Sequence, residues 1–354
     1  MSEPANLEEL IDVANDALDR GDLATARQAV RQAEQLAPDD RDVLLVKALM
    51  WAGLNRADDA FAAVDRALEQ NPDDLVLLMT RASFLMELRD DALEALPLLE
   101  EVAQDLREAP PPDDEQAAEV YRELVVQALL QLSECRAMLE DATGALDAAQ
   151  EALEVDPGNA LAHATVAASH FELNQLDEAE SAAREALQRQ PDLPDALWVL
   201  GRVHNARGRL AEADAALQKA AQQDPNRFHP PTRVDNATFQ RMVDDAINEM
   251  PRPLQTYLRK VALQVEDVPS AAVLTEGFPV LSPGILAHAE GEPPDSALVE
   301  DIWSHVPRAL HLYRRNLEVT APNAEELREL VATSLAFEVG RFLGLDTDEP
   351  DASA

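Results

Sequence analysis

Prolines recur along this chain at a fixed interval, and that interval limits what the chain can fold into. Pro38 and Pro72 lie 34 residues apart, and so do the neighbours among Pro157, Pro191 and Pro225. Each sits in a similar phrase: "AEQLAPDD", "ALEQNPDD", "ALEVDPGN", "ALQRQPDL" and "AAQQDPNR". A proline there stops one helix, because it lacks an N–H and clashes with the preceding turn, and the residues after it start the next. Units of this length cannot bury an apolar face alone, so they stack on one another. The composition agrees, with 46% apolar residues but only 4% aromatic. That balance favours helices packed through small side chains over a β-rich fold.

Counting back from each proline, small residues recur where two helices must approach closely. Ala14, Ala48, Ala82, Ser133, Ala167 and Gly201 fall on first helices; Ala26, Ala60, Ala145, Ala179 and Ala213 fall on second helices. With these residues the chain resembles the tetratricopeptide repeat, over about residues 7–227 and as six units. The third unit is irregular: "RDDALEALPLLEEVAQDLREAPPPDDEQ" carries an insertion near residues 104–116, and Pro110 to Pro112 are expected to form an exposed, stiff connection that could divide the array three and three. The resemblance implies a mostly α solenoid with a concave groove lined by Leu45, Leu49, Met79, Met86, Leu130, Met138, Phe171, Trp198 and Arg202. Such an apolar, Met-containing surface suits a protein or peptide partner as a helix or an extended segment. Some of these side chains could instead be core between repeats, and the groove could be taken by the chain's own C-terminal domain. The Lys/Arg/Asn clamp by which some family members hold terminal carboxylates is not matched. His163, His170 and His204, on first helices, are read as core or groove-edge imidazoles rather than metal ligands.

The repeat pattern stops at "DPNRFHPPTRVDNAT", a proline-containing linker expected over residues 228–238. Beyond it Phe239, Val243, Ala246, Ile247 and Met250 mark one face of an amphipathic helix, stopped by Pro251. "KVALQVED" alternates Val261, Leu263 and Val265 as a half-buried strand does, and "GILAHAEG" and "RALHLYRRNLE" are further strand candidates. A last helix runs from about Asn323 to Leu343, with Leu327, Leu330, Val331, Leu335 and Phe342 on its buried side. In this order, with "VALQVEDVP" and "LYRRNLE", the segment resembles the minimal zincin-like metallopeptidases, as a small α+β domain over residues 239–346. Residues 347–354 are expected to be an acidic tail.

What the resemblance implies for chemistry is a disarmed site. The zincin motif H-E-x-x-H-x-x-G places two imidazoles four apart on one helix face against one Zn²⁺, with the glutamate as general base. In "LAFEVGRFLGLD" the ligand positions hold Phe337 and Arg341, and the third, three residues after Gly344, is Thr347. Phenylalanine has no lone pair to give and arginine stays protonated. Glu338 remains at the base position, read as a relic or as a partner of Arg341, whose guanidinium could stand where the cation would. A rebuilt site from Asp346, Asp348, His305 or His311 has no supporting spacing. The expectation is therefore no metal, no cofactor and no catalysis: an interaction protein with a pseudo-metallopeptidase domain. The alternatives are a zinc peptidase whose repeats recruit substrate, and a regulatory subunit that docks through the retained zincin shape.

Charge and cysteine content bound the rest. A formal net charge of -39 argues against nucleic acid and anionic membrane surfaces. No run approaches a membrane span and no signal peptide is read, so a cytoplasmic location is expected, in a GC-rich or salt-adapted bacterium given only three lysines, Lys47, Lys219 and Lys260. The single cysteine, Cys135, excludes a disulfide framework and is expected to be a reduced core thiol.

Overall fold

The fold is given by a computed structural model that describes residues 6–275, 281–291, 303 and 305–344. Two compact units divide the chain, Met1–Gly158 and Asn159–Ala354.

The first unit holds four helix pairs: α1 (Leu7–Asp19) with α2 (Leu23–Leu36), α3 (Arg41–Gly53) with α4 (Ala57–Gln70), α5 (Leu75–Arg89) with α6 (Ala92–Glu108), and α7 (Glu115–Met138) with α8 (Ala142–Val155). Acidic side chains start most of them. Asp22, Asp74, Asp91, Asp114 and Asp141 each accept the backbone N–H three residues on, an N-cap contributing about 0.5–2 kcal/mol. Inside a pair the chain turns through one left-handed residue: Gly21, Asn55, Asp90 and Glu140, with φ of 68°, 53°, 54° and 60°. The small residues picked out by the period, Ala14, Ala26, Ala48, Ala60, Ala82 and Ala145, are fully buried, so backbones approach closely with little side-chain entropy lost.

Successive pairs are also tied by charge. Arg41 forks onto Asp74 with both N–H···O distances at 2.9 Å. Burial alone would raise the Asp74 pKa, but the guanidinium overrides it and holds the carboxyl below its ordinary range. The insertion in the third unit is only partly loop. Pro110 to Pro112 are exposed, as expected, but α7 has 24 residues where the other first helices of this unit have 13 to 15, so part of the extra chain has become helix. Tyr121, near its start, donates its hydroxyl to the carbonyl of Ala109 at 3.1 Å and to that of Leu106. The boundary between the two units falls at Gly158, after the fourth pair and not at the insertion. Cys135 is buried with its Sγ 3.3 Å from the Ala92 carbonyl, and burial pushes its thiol up to about 11.

The second unit begins with two more pairs, α9 (Ala160–Glu172) with α10 (Leu176–Arg189) and α11 (Pro194–Ala206) with α12 (Leu210–Gln223). Their turns again use left-handed residues, Asn174 and Gly208. Then follow α13 (Asn236–Glu249), α14 (Arg252–Leu258), β1 (Leu263–Glu266), α15 (Ala271–Thr275), β2 (Ala287–Glu290), β3 (Ala309–Tyr313), α16 (Arg314–Thr320) and α17 (Ala324–Leu343). The sheet order is β1-β3-β2, with β1 parallel and β2 antiparallel to the central, wholly buried β3. Leu310 and Leu312 of β3 share a core with Phe239 and Val243 of α13 and with Leu327, Val331, Leu335, Val339 and Phe342 of α17.

Two sequence expectations are corrected here. "RALHLYRRNLE" is a strand only to Tyr313 and a helix from Arg314. Asn316, Leu317, Glu318 and Val319 are buried in succession, which a strand covered on one face cannot do. The stretch expected as a linker is also packed. Phe228 and His229 lie against Trp198, with ring centroids 5.2 and 5.8 Å away. Thr232 donates its N–H to the Glu318 carbonyl at 2.7 Å and its hydroxyl to Ala321 O at 2.7 Å. Arg233 bridges Asp214 of α12, at 3.0 Å, and the Glu318 carboxylate of α16, at 2.8 Å. Proline-rich composition suggested a spacer; hydrogen bonds to both sides make it a clasp.

Candidate functional site

The motif helix α17 starts at Asn323, whose side chain accepts the N–H groups of Glu325 and Glu326, and ends at Gly344 with φ 65°. Its periodicity carries Glu338 onto the buried side with Leu335, Val339 and Phe342, where the carboxylate is only 5% exposed. Two partners satisfy it. The N–H of Ala289, on the edge strand β2, donates to Glu338 Oε1 at 2.9 Å. The guanidinium of Arg341, one turn on, donates through Nε at 3.1–3.2 Å and through Nη2. That hydrogen bond, against the opposing effect of burial, raises the Arg341 pKa further above its ordinary value. A carboxylate buried without partners would cost several kcal/mol, so the arrangement is a neutralised polar plug between helix and sheet edge.

Phe337, at the first metal-ligand position, is 54% exposed. Thr347, Asp346 and Asp348 lie outside the described residues, as does the acidic tail. His305 stacks on Phe342 with centroids 5.8 Å apart. His311, on β3, has Nδ1 3.2 Å from Glu266 of β1 and Nε2 3.7 Å from Glu290 of β2. His288, opposite it in register on β2, has its pKa lowered by burial. Among the described residues no three His, Cys, Asp or Glu side chains converge as metal ligands. The donor chemistry at Phe337, Glu338 and Arg341 does not fit zinc: one position has no lone pair, one is a cation, and the carboxylate is already bound by Ala289 and Arg341.

The candidate groove positions separate by unit. In the first, Leu49 and Met138 are exposed (36% and 41%), and Leu45 and Leu130 are half-buried. Met79 and Met86 are buried and belong to the core. Gln131 of α7 donates to Ser83 Oγ of α5 at 3.0 Å beside them.

In the second unit the same positions are covered by the chain itself. The Arg202 guanidinium lies 4.2 Å above the ring of buried Phe171 and pairs with Glu172 at 2.9 Å. Gly284 rests on both: a β-carbon there would stand 2.5 Å from Arg202 Nη2 and 3.3 Å from Phe171 Cε1. One helical turn on from Arg202, Asn205 is 3% exposed and donates Nδ2–H to Asn316 Oδ1 at 3.1 Å. Asn316 in turn donates to the carbonyls of Pro283, at 2.8 Å, and Ile285, at 2.7 Å. Sequence reading missed Asn205 and Asn316. The signal present was an asparagine inside each of two otherwise assigned stretches, "RVHNARG" and "LYRRNLE".

Comparison with known proteins accords with this architecture. Residues 12–74 and 167–228 match the family described as tetratricopeptide repeat, and residues 258–353 match the zincin-like metallopeptidase family. Among solved structures, PilW, described as a widely conserved type IV pilus biogenesis factor, is 19% identical with a TM-score of 0.50, covering 63% of this chain and 96% of that one. PilF from Pseudomonas aeruginosa is 16% identical with a TM-score of 0.48, covering 62% and 92%. YrrB, described as a TPR protein with an unusual peptide-binding site, is 19% identical with a TM-score of 0.37, covering 56% and 93%. At these identities the likeness concerns fold alone. No curated protein matches.

Proposed function

We propose that this chain, a tetratricopeptide-repeat array carrying a zincin-like domain, is a protein-interaction scaffold whose zincin-like domain performs no peptide hydrolysis. The observation that carries the second half is the state of Glu338. A general base needs a free carboxylate beside an activated water; this one is closed off by the Ala289 N–H and the Arg341 guanidinium. Arg341 then stands in for a metal cation as a permanently attached charge that keeps helix and sheet edge together. The first half rests on the repeats and on the exposed apolar side chains of α3 and α7, Leu49 and Met138, which suit a protein or peptide partner. A net charge of -39 disfavours nucleic acid, and no helix among the described residues is long and apolar enough to cross a membrane.

Metal analysis of the purified full chain, together with Arg341→Ala, tests the reading. Substoichiometric zinc is expected, with Arg341→Ala destabilised by about 1–2 kcal/mol because one charged partner of a buried carboxylate is gone while the other donor remains. Stoichiometric zinc in the wild type, with peptidase activity that Glu338→Gln abolishes, would restore the zinc-peptidase reading. Partner capture from the native host should survive Glu338→Gln and fall in a Leu49→Glu, Met138→Glu double variant.

A further inference from the structure

We propose that the cleft between α14 and Trp303 is a binding site for a small aromatic carboxylate, with Arg252 and Lys260 holding the anionic group and Tyr257 and Trp303 the ring. The site lies outside the repeats, so the scaffold reading neither supports it nor falls with it.

The cleft has a volume of about 290 Å³ and is lined by Arg252, Pro253, Thr256, Tyr257, Lys260 and Trp303. That is the lower end of the range for small-molecule sites, so it suits a molecule of one or two rings. Its aromatic wall is fixed. Buried Tyr257 donates its hydroxyl to the His305 carbonyl at 2.8 Å and meets Trp303 edge to face, with ring centroids 5.8 Å apart. Burial pushes the Tyr257 hydroxyl up to about 12, so this wall stays uncharged and does not repel an anion. Arg252 and Thr256 lie one turn apart on α14 and Lys260 follows just past its end, all three exposed.

What calls for an anion is the state of the two cations. Carboxylates outnumber basic side chains 68 to 29 in this chain, and even exposed arginines such as Arg56 and Arg308 have found one. Among the described residues Arg252 and Lys260 have neither a carboxylate partner nor a side-chain hydrogen bond. The acids nearest to them in sequence are engaged elsewhere: Glu249 with Arg328 at 2.7 Å, Glu266 with His311 at 3.2 Å and Asp267 with Arg314 at 2.6 Å. A carboxylate bound here meets both cations beside apolar rings, where reduced hydration strengthens a charge-assisted hydrogen bond, and Arg252 can take both of its oxygens. The chain's overall negative charge is screened over about 8 Å at physiological ionic strength, so the local pair of cations decides. The Thr256 hydroxyl already donates to the Arg252 carbonyl at 2.9 Å and offers the ligand no further proton, which leaves the extra oxygens of a phosphate unmatched. A ring on the ligand completes the contact with Tyr257 and Trp303.

Cinnamate and its uncharged isostere cinnamamide, titrated into the isotope-labelled full chain, test this. The indole N–H signals of the three tryptophans are followed by NMR, and Trp303 is the one missing from Trp303→Phe. Cinnamate should move the Trp303 signal and leave those of Trp51 and Trp198 in place, and it should bind about tenfold more tightly than the amide. Arg252→Met with Lys260→Met should bring cinnamate down to the level of the amide. No Trp303 shift at millimolar cinnamate, equal affinity for acid and amide, or full cinnamate affinity in the double variant would each overturn the proposal. Should the double variant lose its cooperative unfolding, wild type at raised salt decides. Cinnamate binding should then weaken while amide binding holds, and an unchanged ratio overturns the proposal. Partner capture through Leu49 and Met138 is untouched by either result.

Discussion

The four helix pairs of the first unit and the two of the second follow one sequence grammar, yet they end in different states. Both use buried alanines between helices and a left-handed residue at the turn. In the first unit the candidate groove positions Leu49 and Met138 face solvent. In the second, Phe171 lies beneath Arg202 and Gly284, and Trp198 carries Phe228 and His229. Repeats of this kind put corresponding side chains on a common face; whether those side chains are available is decided by residues outside the repeats. Among the described residues, only the second unit carries such residues, between Phe228 and Asn316.

The largest effect expected to separate the units comes from the clasp. Glu318 is fully buried, and Arg233 is its closest cation. Arg233→Met should cost about 3–5 kcal/mol, since Arg315 at 3.4 Å is then the one guanidinium left beside it among the described residues. Hydrogen exchange followed along denaturant should show the loss in α12, α13 and α16 and none in α1 to α8. Loss spread evenly over α1 to α16 would contradict a local role for the clasp. Next in size, Ala48→Leu and Ala167→Leu should each cost about 1–3 kcal/mol by overpacking, because both sites are fully buried at close helix contacts. Here the two units should behave alike, and thermal unfolding would reveal a difference if one has slack.

Smaller still is the effect at the turns. Glu140 adopts φ 60°, where a side chain with a β-carbon is strained and has no asparagine-like local compensation. Glu140→Gly should raise stability by about 0.5–1 kcal/mol, whereas Asn174→Gly should change little. The smallest effect concerns pH. All seven histidines lie beyond Gly158, at 163, 170, 204, 229, 288, 305 and 311. Burial lowers the pKa of His204 and His288 in the folded state. Below the unfolded value of about 6.5, the unfolded chain takes up protons that the folded one does not. The second unit should therefore be most stable above that pH and lose stability as pH falls below it, while the first stays flat until its carboxylates titrate. Chemical denaturation at pH 7.5 and 5.5, read separately on each unit, checks this.

What could be read from the sequence follows the same division. The helix pairs were legible because Pro38, Pro72, Pro157, Pro191 and Pro225 repeat one signal, so errors at a single position are outvoted. The α+β domain offered each signal once. "KVALQVED" and "GILAHAEG" did hold strands, but "RALHLYRRNLE" misled, because the burial of Asn316 and Glu318 depends on partners distant in sequence. The linker misled for the same reason: nothing local in "FHPPTRVD" announces that Arg233 has Glu318 and Asp214 waiting for it. At the motif helix the missing ligands Phe337 and Arg341 were plain, whereas the donor closing the other side of Glu338, the Ala289 N–H, is a backbone group and leaves no trace in residue identity.

The left-handed turn residues have a consequence for how such a chain can change length. Gly21 and Asn55 are 34 residues apart, as are Glu140, Asn174 and Gly208, and each marks the same point in its pair. Two cuts made at equivalent points restore identical backbone directions on both sides of the join. Duplication or excision of one cassette between them, for example residues 22–55, therefore keeps the chain direction: the new junction has the same left-handed turn, and its one local change is that excision follows Gly21 with Arg56, which makes no side-chain cap, in place of the capping Asp22. Gene-level slippage in this region would be forgiven by the fold. A slip of the same length between Phe228 and Asn316 would sever the clasp.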